Sequence, residues 1–147
     1  MKQKDKSLDL NMSNYNFLKS RFVPFAMMSN HKNYKSDFIN TDKYGFRHSF
    51  LGLNQVCLDN SINFDSINVI LGGSTVFGVG SSDDKNTIAS FLAERTSQPW
   101  MNLGLRAGVS MQEYIHLINH LDKFKKINNI VFFSGMNDIY RNVIDNK

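Results

Sequence analysis

Cysteine is nearly missing from this chain: Cys57 is the only one among 147 residues. One thiol makes neither an internal disulfide nor a CxxC pair, which excludes a disulfide scaffold and a cysteine-held structural metal and suits a reducing compartment. Proline is scarce as well, with only Pro24 and Pro99 present. Long hydrophobic runs are absent, and no segment approaches the roughly 20 apolar residues that span a bilayer. Near the start, "RFVPFAMM" is short, holds Pro24 and follows polar residues, unlike the apolar core of a signal peptide. The expectation is a cytoplasmic protein with no membrane span.

There is no block of basic residues either. The formal charge is +4, but the lysines and arginines are scattered. The densest cluster, "KQKDK" at residues 2–6, reads as a solvated terminal tail, so no nucleic-acid partner is expected. What is present is the composition of a folded protein, 41% hydrophobic and 12% aromatic, in a chain long enough for one core.

Two regimes divide the chain. Residues 1–66 are irregular, rich in Asn, Lys and aromatics, and read as a segment that packs on or precedes the core. A helix is expected near residues 15–22 and short extended pieces around 34–39. From residue 67 the pattern is regular. "INVIL", 67–71, is a β-branched apolar run that stops at glycine, as a buried strand does. Asp83, Asp84 or Asn86 caps a following helix whose core face is Ile88, Phe91, Leu92 and the stem of Arg95, and Pro99 ends it. "WMNLG", 100–104, is a second strand. Ser110 then caps a helix over 111–126 with an apolar stripe of Tyr114, Leu117, Ile118, Leu121 and Phe124. "NIVFF", 129–133, is a third strand.

Alternating strands and helices predict an α/β fold with a parallel sheet. In such sheets the loops after the strand carboxyl ends form the ligand crevice. Three polar, glycine-bearing loops therefore converge: 72–80, 104–110 and 134–138. Ser74, in the first turn after a buried strand and introduced by glycines, is presented as a nucleophile is. Two other readings of the same loop are an anion cradle and a plain helix cap. The lysine-serine ending of a P-loop is absent, and the glycines of "GGSTVFGVG" do not fall at GxGxxG spacing. The N–H of Gly108 and the side-chain amide of Asn137 are placed to meet at one oxygen.

"GGSTVFG", "NLGLRAGVS" and "SGMND" together resemble the first three blocks of the SGNH/GDSL hydrolase family, in order and each after the expected strand. The resemblance covers residues 67–140, about half the chain. It implies a three-layer α/β/α, flavodoxin-like fold, here C-terminally incomplete, with residues 67–147 as its N-terminal part. It also implies that Ser74 is the nucleophile, and that the Ser74 N–H, the Gly108 N–H and the Asn137 amide form an oxyanion hole. Gly108 is then glycine so that an acyl group can approach its backbone. Gly73 stands where the family's name motif has aspartate, resembling a "GGS" branch.

The family's DxxH block, which supplies its histidine base, does not follow the third block in this sequence. A serine at its free pKa needs such a base. His116 and His120 are expected on a solvated helix face, and "HLINH" lacks the glutamate of HExxH, so no metal is expected there. His31 and His48 fall in the irregular region. "YGFRHSF", 44–50, resembles a Gly-Phe-Arg segment found ahead of the serine block in some family members and is expected near the crevice, with His48 in a packing or surface role. Asp138 is expected to brace its loop and Asn102 to fix the second one. The apolar third strand is expected to be covered by further chain, by the N-terminal region, or by a partner, including self-association.

The leading functional expectation is a cofactor-free ester hydrolase or acyltransferase acting on a small-molecule or carbohydrate acyl ester. A second is a catalytically inactive remnant that binds a glycan or a protein. A third is a flavodoxin-like nucleotide or phosphate binder.

Overall fold

The computed structural model describes residues 18–145. Residues 15–17 of the expected first helix lie outside them, and the rest of that prediction is corrected. Arg21–Val23 is a strand, β1, paired antiparallel with β2, Met27–Ser29. A second antiparallel pair follows, β3 (Ser49–Leu51) with β4 (Asn54–Val56). Elements this short carry too little periodicity to be read from sequence.

The regular half forms a parallel sheet of β5 (Ile67–Gly72), β6 (Trp100–Gly104) and β7 (Ile127–Phe133), in the order β6-β5-β7. Between and after these strands lie α1 (Ser74–Phe77), α2 (Ile88–Thr96), α3 (Ser110–Ile118) and α4 (Met136–Asp145). Every residue of β5 and β6 is buried. One face of β5 places Val69 and Leu71 in a cluster with Leu117 of α3 and with Phe46, Val56 and Leu58 of the N-terminal segment. Ile70, on the other face, packs with Ala89 and Ala93 of α2, Val76 and Trp100. The chain is thus a mixed α/β protein with a parallel sheet, whose N-terminal segment shares the same core.

Two helix faces differ from expectation. In α2 the fully buried residues are Ala89, Ser90 and Ala93; Ile88 and Leu92 pack half-buried against the core as expected, whereas Phe91 is 50% exposed and Arg95 is exposed. Small side chains let the helix lie close to β3 and β6, and Ser90 Oγ donates to the Asp84 carbonyl at 2.7 Å. Thr87 caps this helix by accepting from the Ser90 N–H, and Asp83 caps the 3-10 turn before it. Helix α3 ends at Ile118, and a separate 3-10 turn, Leu121–Lys123, follows. Its buried face is Glu113, His116 and Leu117, while Tyr114, Ile118 and Leu121 are largely exposed.

The expectation of a solvated histidine face is therefore overturned. His116 is 1% exposed, with Nε2 3.2 Å from the Met28 carbonyl, and half-buried His120 stacks on it. Phe46 meets both rings edge-on. Burial pushes both imidazole pKa values down, so these histidines are neutral packing groups.

On β7 the residues Ile130–Phe133 are exposed, and Phe133 reaches 56%. Among the described residues the N-terminal segment packs against β5 and β6 and does not cover this edge. No helix among the described residues is long and apolar enough to cross a membrane.

Asp42 organises the N-terminal segment. Oδ1 accepts from the N–H groups of Tyr44, Gly45 and Phe46, each at 2.9 Å, and Oδ2 from Leu58 at 3.0 Å. Burial outweighs these donors and raises its pKa from 3.8 to about 6. A carboxyl whose folded pKa is raised contributes stability that is full below its unfolded pKa and is lost as pH rises through the folded one. Asp42→Asn, which cannot accept at both positions, is expected to lose about 2 kcal/mol in chemical denaturation at acid pH. The deficit should shrink as pH rises through about 6. A deficit that grows with pH would contradict this assignment.

Candidate active site

Gly72 and Gly73 end β5, and the chain turns at once into α1, a single helical turn. So short a helix has no stability of its own and is held by packing. Val76 and Phe77 are its buried anchors, which leaves half-buried Ser74 and exposed Thr75 on the outer side. Gly104 is what allows α1 to sit down on β6. A Cβ there would lie 2.2 Å from the Phe77 nitrogen, so backbone packs directly on backbone. Asn102 fastens the same junction, its Nδ2 donating to the Val76 carbonyl and its Oδ1 accepting from the Gly104 N–H, both at 2.9 Å.

The C-terminal end of α1 is tied to the N-terminal segment by Arg47. This guanidinium is fully buried, with Nε 2.7 Å from Asp84 Oδ1, and Nη1 donates to the Gly78 carbonyl at 2.7 Å. Nη2 donates to the Phe38 carbonyl at 2.6 Å, and Asn40 Nδ2 donates to Asp84 Oδ2 at 2.7 Å. The "YGFRHSF" segment therefore does pack behind the crevice, but through Arg47. His48 is half-buried and does not line the cavity described next.

A cavity of about 390 Å3 opens in front of Ser74. Its walls are the start of α1, the turn from β7 into α4 at Phe133, Ser134 and Gly135, the first turn of α4 with Asn137, and Glu113 from α3. Ser74 and Asn137 are thus brought together. Gly108 joins them through its carbonyl, which accepts from Asn137 Nδ2 at 2.7 Å. One amide hydrogen is used there, and an amide nitrogen carries two. The Gly108 N–H itself turns back to the Leu105 carbonyl at 3.3 Å. A Cβ on Gly108 would stand 2.6 Å from Leu105 Cβ, so its own turn already requires glycine. A Cβ on Gly73 would stand 2.9 Å from Asn137 Nδ2, so glycine there keeps that amide in place.

The loops are braced as expected at Asp138, whose carboxylate accepts from the Ser110 N–H at 3.1 Å and from Ser110 Oγ at 2.7 Å. That hydroxyl holds its pKa below the usual range. Ser110 is thereby a tether between the second and third loops. Val109 occupies the cap position of α3, its N–H donating to Gln112 Oε1 at 3.1 Å. Asn30 supports the second loop from the N-terminal segment, donating to the Gly104 carbonyl at 3.0 Å and accepting from the Arg106 N–H at 3.1 Å.

Among the described residues that line the cavity, Glu113 is the one ionisable group, and none is a histidine. Glu113 is 0% exposed and neither carboxyl oxygen has a hydrogen bond within ordinary geometry. Burial raises its pKa, Ser134 draws it back, and the charge of Asp138 adds to the rise. Its one faint signal in the sequence is a carboxylate inside the first turn of the helix that follows the second loop.

Arg47→Leu leaves Asp84 buried without its counter-ion and is expected to cost about 3–5 kcal/mol in chemical denaturation. Adding Asp84→Asn should recover part of that loss. An Arg47→Leu protein as stable as wild type would show that the pair does not hold α1.

No protein-family model matches this chain, and no curated protein matches it.

Proposed function

We propose that this chain is an acyl-ester hydrolase or acyltransferase of SGNH type with Ser74 as its nucleophile. The observation that supports this most is the shared cavity: Ser74 stands at the start of α1, and Asn137, pinned by one N–H to Gly108, faces the same space. In this reading the second Asn137 N–H and the Ser74 N–H meet the oxygen that becomes negative when Ser74 Oγ adds to an acyl carbon. Donors fixed in advance stabilise that oxygen without reorganising during the reaction. The Gly108 N–H joins them by exchanging its long bond to Leu105 for the substrate oxygen. Apolar Phe133, Met136 and Ile139 at the cavity wall suit the acyl chain. The substrate is a small-molecule or carbohydrate acyl ester, and the cytoplasm suits a protein whose Cys57 is buried and unpaired.

One observation favours a second reading, a binding protein without catalysis for a glycan or protein partner: no histidine lines the cavity. The exposed apolar β7 edge suits self-association in either reading.

Treatment of the purified protein with a fluorophosphonate probe separates the two. An activated serine gives labelling that vanishes in Ser74→Ala and falls about a hundredfold or more in Asn137→Ala, the usual effect of losing one oxyanion donor. A folded wild-type protein that labels no faster than Ser74→Ala would leave the binding reading.

A further inference from the structure

We propose that Glu113 is the proton acceptor for Ser74, taking the place that a histidine fills in the serine hydrolases this chain resembles. The inference rests on the nucleophilic reading of Ser74 above. It stands on three facts of geometry. Glu113 reaches the cavity from α3, across from Ser74 on α1. It is the one ionisable side chain among the lining residues. Its two oxygens are buried without a hydrogen-bond partner, a costly arrangement that a proton or a ligand donor relieves.

The surroundings suit the role. The elements around Glu113 present the Ser134 hydroxyl and the Asp138 carboxylate, and among the described residues no lysine or arginine lines the cavity to lock the group as a carboxylate. Desolvation and Asp138 both raise its proton affinity. A carboxylate with raised pKa is a stronger base than an ordinary one. Neither oxygen is hydrogen-bonded to Ser74, so the proton crosses either through one water or when substrate closes the gap.

The proton balance closes within the cavity. Ser74 Oγ forms a bond to the acyl carbon as its proton passes to Glu113, and the carbonyl electron pair moves onto the oxygen held by Asn137. Collapse expels the alcohol oxygen, which takes the proton from the Glu113 carboxylic acid and leaves an acyl-serine. A water, or an acceptor hydroxyl, then attacks and gives its proton to Glu113. Collapse returns that proton to Ser74 Oγ.

The test is the rate of fluorophosphonate labelling against pH for wild type, Glu113→Gln and Glu113→Asp, with thermal unfolding run on each. Wild type is expected to label faster as pH rises, with an inflection above the ordinary carboxylate range. Glu113→Gln should stay folded and label a hundredfold or more slower, without that inflection. Glu113→Asp should label at an intermediate rate and keep the inflection, and it decides the matter if Glu113→Gln does not fold. If wild type labels at Ser74 and Glu113→Gln matches its rate and pH profile, the base is not Glu113 and the nucleophile stands. Wild type that does not label at all overturns the nucleophilic reading, and this inference with it.

Discussion

Everything in front of Ser74 depends on the buried pair of Arg47 and Asp84. A helix of one turn cannot fold by itself: β5 runs into its start, and Asn102 and Gly104 of β6 hold Val76 and Phe77. Arg47 fixes its end by capping the carbonyl at Gly78 while its charge is met by Asp84. Both ionic groups are out of water, 0% and 5% exposed, so each is tolerable only while the other is in place. The arrangement makes residues 38–49 part of the scaffold behind the cavity, although they lie well before Ser74 in sequence.

The sheet and its three loops were legible because their signals are local. Buried parallel strands read as short apolar runs ended by glycine, and β5 and β6 are such runs, buried along their whole length. Helix faces were less legible. In α2 Phe91 outweighs Ala89 and Ala93 on any hydrophobic scale, yet close packing against Trp100 selects the alanines for the buried centre and leaves Ile88 and Leu92 half-buried at its side. In α3 the expected stripe passed over Glu113 and His116 because polar residues are rarely buried. Both are buried here, His116 against Phe46 and the Met28 carbonyl, Glu113 at the cavity. These contacts come from segments far away in sequence, and no local pattern reports them.

The cavity has an unusual electrostatic character for the anion-stabilising role proposed for it. Its donors are neutral, an amide and backbone N–H groups, and its ionisable neighbours, Glu113 and Asp138, are both acidic. A permanent anion such as phosphate meets no counter-charge there. In the proposed reaction an oxygen that is neutral in the bound ester and negative only in passing meets donors without a standing attraction for charge, which is the difference between binding an anion and stabilising a transition state.

The seam between Gly104 and Phe77 bears on how this molecule can vary. Side chains yield by changing rotamer, but two backbones in contact have no such slack. The height of α1 above β6 is therefore set by the main chain alone and is insensitive to most substitution around it. Under the proposed function, new substrate preferences, whether selected in nature or in the laboratory, then have to be written in the opposite wall, on Met136, Ile139 and the β7 turn, while the serine stays at a fixed address.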